Sequence, residues 1–184
     1  MLGKTNPNLV LGAIALTAVV AVFTDLRMKR IPNLLTFSSI TLGLFYHLIF
    51  EAWAELGFAL LGCGVGLLLF LPLFILRWLG AGDVKLLMAF GAWGGSQFAL
   101  QVALWSIAVG GLLGLIQLLV KRQFVDFLRR FWAFIQSWGY RELEPMAFRG
   151  DQTLRLPFAV PMAIAAIGRS FEVLPEALRW LTGG

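Results

Sequence analysis

The stretch LGAGDVKLLMAF, residues 79–90, sets an aspartate behind two glycines, follows it with a lysine and returns at once to leucine and methionine. A carboxylate at the edge of hydrocarbon is expensive, and such residues mark function more often than packing. The surrounding chain is apolar throughout. Of 184 residues, 59% are hydrophobic and 14% charged, with a mean hydropathy of +0.83. Soluble domains average about a quarter charged. The composition therefore predicts an all-α integral membrane protein, with residues 1–184 forming one membrane-embedded domain. A net charge of +5 would suit nucleic acid, but the basic residues cluster between apolar runs, as membrane orientation requires. Lipid rather than nucleic acid is the expected surround. Cys63 is the single cysteine, so neither a zinc ribbon nor a disulfide scaffold is available, and no metal or cofactor is expected.

Six spans are expected, at approximately 9–24, 34–50, 56–78, 84–95, 98–120 and 156–168. A crossing helix wants about 20 apolar residues, and the fourth and sixth runs are short. Charge sets the orientation. Arg27, Lys29 and Arg30 follow the first run, Arg77 and Lys85 flank the gap after the third, and seven Lys or Arg lie within 121–155. The connections at 51–55 and 94–97 hold none. The positive-inside rule then places the basic regions in the cytoplasm and both termini outside. A fourth run that failed to cross would put the long basic stretch outside, so it is read as spanning, with local thinning of the bilayer. The first span is not read as a signal peptide, because its stronger positive cluster is on the far side and no A-x-A site follows. Within 124–138, Phe124, Phe127, Leu128, Phe131, Ile135 and Trp138 share one helical face. This predicts an amphipathic helix on the cytoplasmic surface. A continuation of the fifth helix packed on the bundle fits equally well.

Most of the ten acids fall in loops. Asp25, which ends the first span, and Asp83, just before the fourth, instead share one depth at the cytoplasmic boundary. Two adjacent carboxylates cannot both ionise cheaply, so they share a proton. The ionised partner can take a proton from water while the protonated one donates to an amide carbonyl, which is aspartic-protease chemistry. The pair titrates as a unit. Gly80 and Gly82 remove side chains beside Asp83, permit unusual backbone dihedrals and let an extended substrate approach. Simpler uses exist for each acid. Asp83 could cap a helix starting at Val84, and Asp25 could pair with Lys29 one turn on. Lys85 either steadies the carboxylates or meets substrate, or else snorkels to the interface. Asn33 is expected to cap the second helix after the Pro32 turn. His47, the only histidine, lies near the outer side, away from the acids.

Four segments resemble those of the type IV prepilin peptidases, membrane aspartic proteases of the GxGD type. They are DLRMKRIPN at 25–33, GAGDVKLL at 80–87, GAWGG at 91–95 and LPFAVP at 156–161. The resemblance implies six transmembrane helices, Asp25 and Asp83 as the catalytic pair, and cleavage of the short basic leader from prepilin or pseudopilin precursors in the prokaryotic inner membrane. Pilus assembly proteins are further implied partners. The 25–33 loop leads directly into the second span, without the cysteine-paired insertion of the larger, methylating members. The chain thus resembles the short, peptidase-only forms of tight-adherence (Flp) pilus systems. Two other readings remain at this level. A small cation- or proton-coupled transporter could use membrane-edge aspartates, although no internal repeat is found. A non-catalytic pilus or secretion assembly factor could keep the fold.

Overall fold

Pro7 takes the first position of helix α1 (Pro7–Met28), where its missing N–H has no intrahelical partner to lose. Lys29 ends the helix in the left-handed region, φ 52°, and donates its N–H to the Asp25 carbonyl at 2.8 Å. Residues 29–32 then lead straight into α2 (Asn33–Phe50). The further helices are α3 (Trp53–Ile75), α4 (Ala81–Val120) and α5 (Ala159–Thr182). The structure is a computed structural model that describes residues 6–50, 53–76, 78–121 and 158–182, with Val125, Leu128, Arg129 and Trp132. Among the described residues the regular elements are all α-helices, with no strand. Four helices are long and apolar enough to cross a membrane: α1, α2, Glu55–Ile75 within α3, and α4. Apart from its four described positions, all helical, the expected surface helix at 124–138 lies outside the described residues.

The helices differ from the apolar runs mainly at their ends. α1 continues through Asp25, and α5 continues well past Ile167. Hydropathy marks membrane depth, whereas backbone hydrogen bonding continues through polar residues. α4 is the larger departure. Forty residues at 1.5 Å each would reach about 60 Å, twice the hydrocarbon thickness. Gly95 divides it. Its φ of 77° and ψ of −174° are non-helical, and two helices meet there. Only glycine adopts that conformation without strain. An added Cβ would also run into the Phe58 ring.

Two compact units divide the chain. One comprises Met1–Ile107 with Pro157–Gly184, and the other Ala108–Leu156. The second contains the end of α4, apolar and largely exposed from Leu112 to Val120. The first unit holds the packed core, and its helices present small and polar residues inward. On α2 the buried residues are Thr36, Ser39, Gly43 and His47, while Leu34, Phe37, Leu42, Phe45 and Ile49 face out. On α1, Ala18 and Ala21 are buried and Leu16, Val19 and Phe23 are exposed. Lipid is as apolar as leucine, so helices associate through close backbone approach and hydrogen bonds.

The first arm of α4, residues 81–94, lies at the centre of this packing. Leu86, Leu87 and Phe90 on it are fully buried. α3 meets it at Gly62 and Gly91, where backbone lies against backbone and a Cβ on either would strike the other helix. One turn along, Cys63 Sγ donates to the Met88 carbonyl at 3.5 Å. From α2, the His47 Nε2 lies 3.4 Å from the Trp93 carbonyl. Trp93 Nε1 donates to Ser39 Oγ at 3.2 Å, and Ser39 Oγ lies 3.0 Å from Thr17 Oγ1 on α1. Thr17 gives its own hydrogen to the Ala13 carbonyl at 2.8 Å. α5 packs along α1, and Phe158, just before it, meets Phe70 of α3 edge-on at 6.0 Å between ring centres.

The Gly62–Gly91 approach carries a direct expectation. Gly62→Ala is expected to lower stability by about 1–3 kcal/mol, because backbone cannot yield as a side chain can. Leu61→Ala, one residue away and 66% exposed, is expected to change stability by less than about 0.5 kcal/mol. Denaturant unfolding in detergent micelles measures both. Equal effects would show that the close approach does not hold the pair.

Candidate active site

Asp25 sits in the last turn of α1 and is buried at 9% exposure. It makes no ion pair with Lys29. The left-handed backbone at Lys29 turns that residue into the C-cap, and its side chain is exposed. The Asp25 carboxylate turns inward, and its Oδ2 accepts the Ala159 backbone N–H at 3.2 Å. Ala159 is the first residue of α5, so this N–H belongs to the group a helix leaves without an internal acceptor. A carboxylate at a helix N-terminus is also favoured by the helix dipole.

Asp83 is the third residue of α4, which begins at Ala81 and not at the expected Val84. It therefore cannot be the N-cap. Gly80 holds that place, and the two residues bond reciprocally. Asp83 Oδ2 accepts the Gly80 N–H at 3.0 Å, and the Asp83 N–H donates to the Gly80 carbonyl at 3.1 Å. This is the acidic half of a capping box, with glycine in place of the usual serine. The link that follows Asp25 meets the start of α4, since the space a Cβ on Gly82 would need is bounded by Ile31, and Lys85 bonds Asn33. Two helix ends, 58 residues apart in the chain (83 − 25), thus carry the two aspartates on elements that touch.

The glycines act by proximity. Neither Gly80 nor Gly82 has a positive φ, so the expected unusual dihedrals are absent. A Cβ on Gly82 would come 3.1 Å from the Ile31 Cβ, and one on Gly80 would come 3.2 Å from Asp83 Oδ2. Ile31, buried in the link between α1 and α2, therefore rests on the start of α4. Lys85 does not reach the carboxylates. Its ammonium donates to Asn33 Oδ1 at 2.9 Å and lies 4.9 Å from the centre of the Phe37 ring. Asn33 is the first residue of α2, and its side chain serves this bridge.

His47 is buried between Tyr46 and Phe58 on the Trp93 side of the bundle, 22 residues along the chain from Asp25 (47 − 25). Cys63 is a buried packing residue. Among the described residues, no three His, Cys, Asp or Glu side chains come together. Sequence reasoning missed Ile31 and the Ala159 amide. A buried isoleucine inside the basic RMKRIPN link was the available signal for the first.

The Gly82–Ile31 approach is testable as a pair. Gly82→Ala is expected to destabilise the fold by about 1–3 kcal/mol. In an Ile31→Gly background, which removes that Cβ, the same substitution should have little further effect, giving a coupling energy of about 0.5–3 kcal/mol. A double-mutant cycle on unfolding free energies measures it. Additive effects would separate the two residues.

Similarity to known proteins bears on what such a pair does. The type IV leader peptidase family matches residues 12–115, a range that includes both aspartates. A prepilin leader peptidase/N-methyltransferase of Xanthomonas campestris pv. campestris is 36% identical over 122 residues, covering 60% of this chain and 41% of that protein. One of Legionella pneumophila is 33% identical over 121 residues, covering 62% and 42%. The chain thus spans about two fifths of the length of the curated relatives it matches. No solved structure matches it. With the family match extending over more than half of the residues, the chain belongs to the type IV leader peptidase family.

Proposed function

We propose that the protein is a membrane aspartic endopeptidase that removes the short basic leader from prepilin-like precursors at the cytoplasmic face of the membrane. The observation that carries this reading is the contact between the link after Asp25 and the start of α4 at Ile31 and Gly82, in a chain of the leader peptidase family. The reaction asks little else of the protein. One carboxylate, ionised, takes a proton from a water molecule as that water attacks the scissile amide carbon. The other, protonated, donates to the carbonyl oxygen. Collapse of the tetrahedral intermediate breaks the C–N bond, and the amine leaves with a proton from the pair. The start of α4 is bare at Gly80 and Gly82, which suits a substrate that must unwind before its amide is reached.

The same reading gives the topology. The two arms of α4 that meet at Gly95 are the fourth and fifth spans, and α5 is the sixth. An even number of crossings, α2 and α3, separates the aspartates, so both lie on one side. The basic residues Arg27, Lys29, Arg30 and Lys85 mark that side as cytoplasmic. Both termini are then outside, and the peptidase works as one membrane-embedded domain on a substrate helix that shares the bilayer.

Two experiments test this. Asp25→Asn and Asp83→Asn should each reduce cleavage of a reconstituted prepilin by at least about 1,000-fold, and the double variant should be little worse, because the pair acts as a unit. Near-normal processing by either folded variant would remove the dyad. For topology, single cysteines at Ala52, Ser96 and Ser137 in a Cys63→Ser background are treated with a membrane-impermeant thiol reagent in intact cells. The first two should label, and Ser137→Cys should label only after the inner membrane is opened. External labelling at all three would mean that the first arm of α4 does not cross.

A further inference from the structure

The site contains one contact that the carboxylate chemistry alone does not require. Each aspartate has one oxygen held by a backbone N–H: Asp25 Oδ2 by Ala159, and Asp83 Oδ2 by Gly80. Among the described residues, the other oxygen of each accepts no hydrogen bond. The two holds differ in origin. Gly80 is three residues from Asp83, so that bond forms with the helix turn itself. Ala159 is 134 residues from Asp25 and reaches it from another helix.

The Ala159 N–H lies at the start of α5. A helix leaves its first four N–H groups unmatched. Here Pro161 has none to offer, and the Met162 N–H already closes the first helical turn onto the Phe158 carbonyl at 3.3 Å. The Ala159 N–H goes to Asp25. Ala159 and Pro161 are buried, and Phe158 is set against Phe70 of α3. The alanine methyl is small enough to let a carboxylate reach the backbone. Proline and phenylalanine fix the direction from which the amide arrives.

We infer that the Ala159 backbone amide is a positioning group for the reaction. It fixes one oxygen of Asp25 and so commits the other to proton exchange with water and substrate. This rests on the peptidase reading above, and it adds α5 to the elements that set catalytic geometry. The oxygen left to each aspartate is the reacting one, and α5 must be seated before Asp25 is aligned. Misplacement of a reacting group by about 1 Å can reduce rate by about 100-fold. A backbone donor leaves substrate contacts untouched, so its loss should appear in kcat.

The test deletes the N–H and keeps the side chain. Lactic acid in place of alanine at position 159, introduced by nonsense suppression in cell-free translation, converts the amide to an ester. Ala159→Pro removes the same donor at the first position of a helix, which proline tolerates. Ala159→Gly retains the N–H and loses only a methyl. With a reconstituted prepilin, the ester and Ala159→Pro are expected to lose about 10–100-fold in kcat with KM changed less than about twofold. Ala159→Gly should keep at least about tenfold more kcat than the ester. Wild-type kcat in the ester would overturn the proposal, as would an equal loss in Ala159→Gly or a loss confined to KM. Failure of both donor-less variants to fold while Ala159→Gly folds would assign the bond to stability, and would overturn it too. If the wild-type protein cleaves no prepilin, the peptidase reading itself fails. A wild type that cleaves, with an Asp25→Asn variant that does not, isolates the question of the amide.

Discussion

Lipid gives helices no hydrophobic reason to stay together, and everything in the packed unit follows from that. Burying leucine against leucine gains little when leucine was already in hydrocarbon. Cohesion has to come from van der Waals approach and from polar atoms that find no partner in lipid. The helices accordingly turn their small and polar residues inward. Gly62 and Gly91 bring two backbones together, Gly43 meets Ala92, and Ser39 receives the Trp93 indole. Many large apolar side chains face outward, while Phe70, Leu86, Leu87 and Phe90 fill the space between the helices.

The candidate site grows from the same constraint at helix ends. A helix terminus carries unmatched backbone groups, and near hydrocarbon these need a partner. At the start of α4 the partner is Asp83, and at the start of α5 it is Asp25. Each carboxylate thus satisfies an amide that would otherwise be exposed to a poor solvent. Functional and structural uses of these acids are therefore not rivals. The cap use weighed for Asp83 in the sequence is present in modified form, and it orients the group that the proposed chemistry employs.

Much of this was legible in residue type and some of it was not. The aspartates stood out because a charge beside long apolar runs needs a reason. The helices were legible from hydropathy, although their ends were not, since Asp25–Met28 and the residues after Ile167 continue backbone bonding without apolar character. The break in α4 was visible as the glycine pair at 94–95, and its exact residue, Gly95, depended on the room left by Phe58. The start of α4 was misplaced to Val84 because the Gly80–Asp83 bonds that set it leave no apolar trace. For Lys85 the sequence left steadying the carboxylates, meeting substrate and snorkelling all open; it bonds Asn33, 52 residues away, and only packing could disclose that pair. The Ala159 amide was illegible for a deeper reason. Every residue but proline has an N–H, so no sequence pattern distinguishes the one that matters. The family match and the inward spacing of Thr36, Ser39, Gly43 and His47 were both implicit in the chain.

The hydroxyl chain between α4, α2 and α1 has a consequence for how the helices find their rotation. Thr17 has committed its hydrogen to Ala13, so Ser39 must give its own to Thr17 and keep its lone pairs for Trp93. Only one direction of donation satisfies all three groups. Rotating any of these helices by one residue, about 100°, would leave an indole N–H or a hydroxyl facing hydrocarbon, at a penalty of several kcal/mol. Apolar contacts impose no such choice, because one leucine fits lipid as well as another. The azimuth of three helices is therefore selected by four polar atoms. The lipid-facing side chains are correspondingly free to drift in evolution without turning the aspartates away from each other.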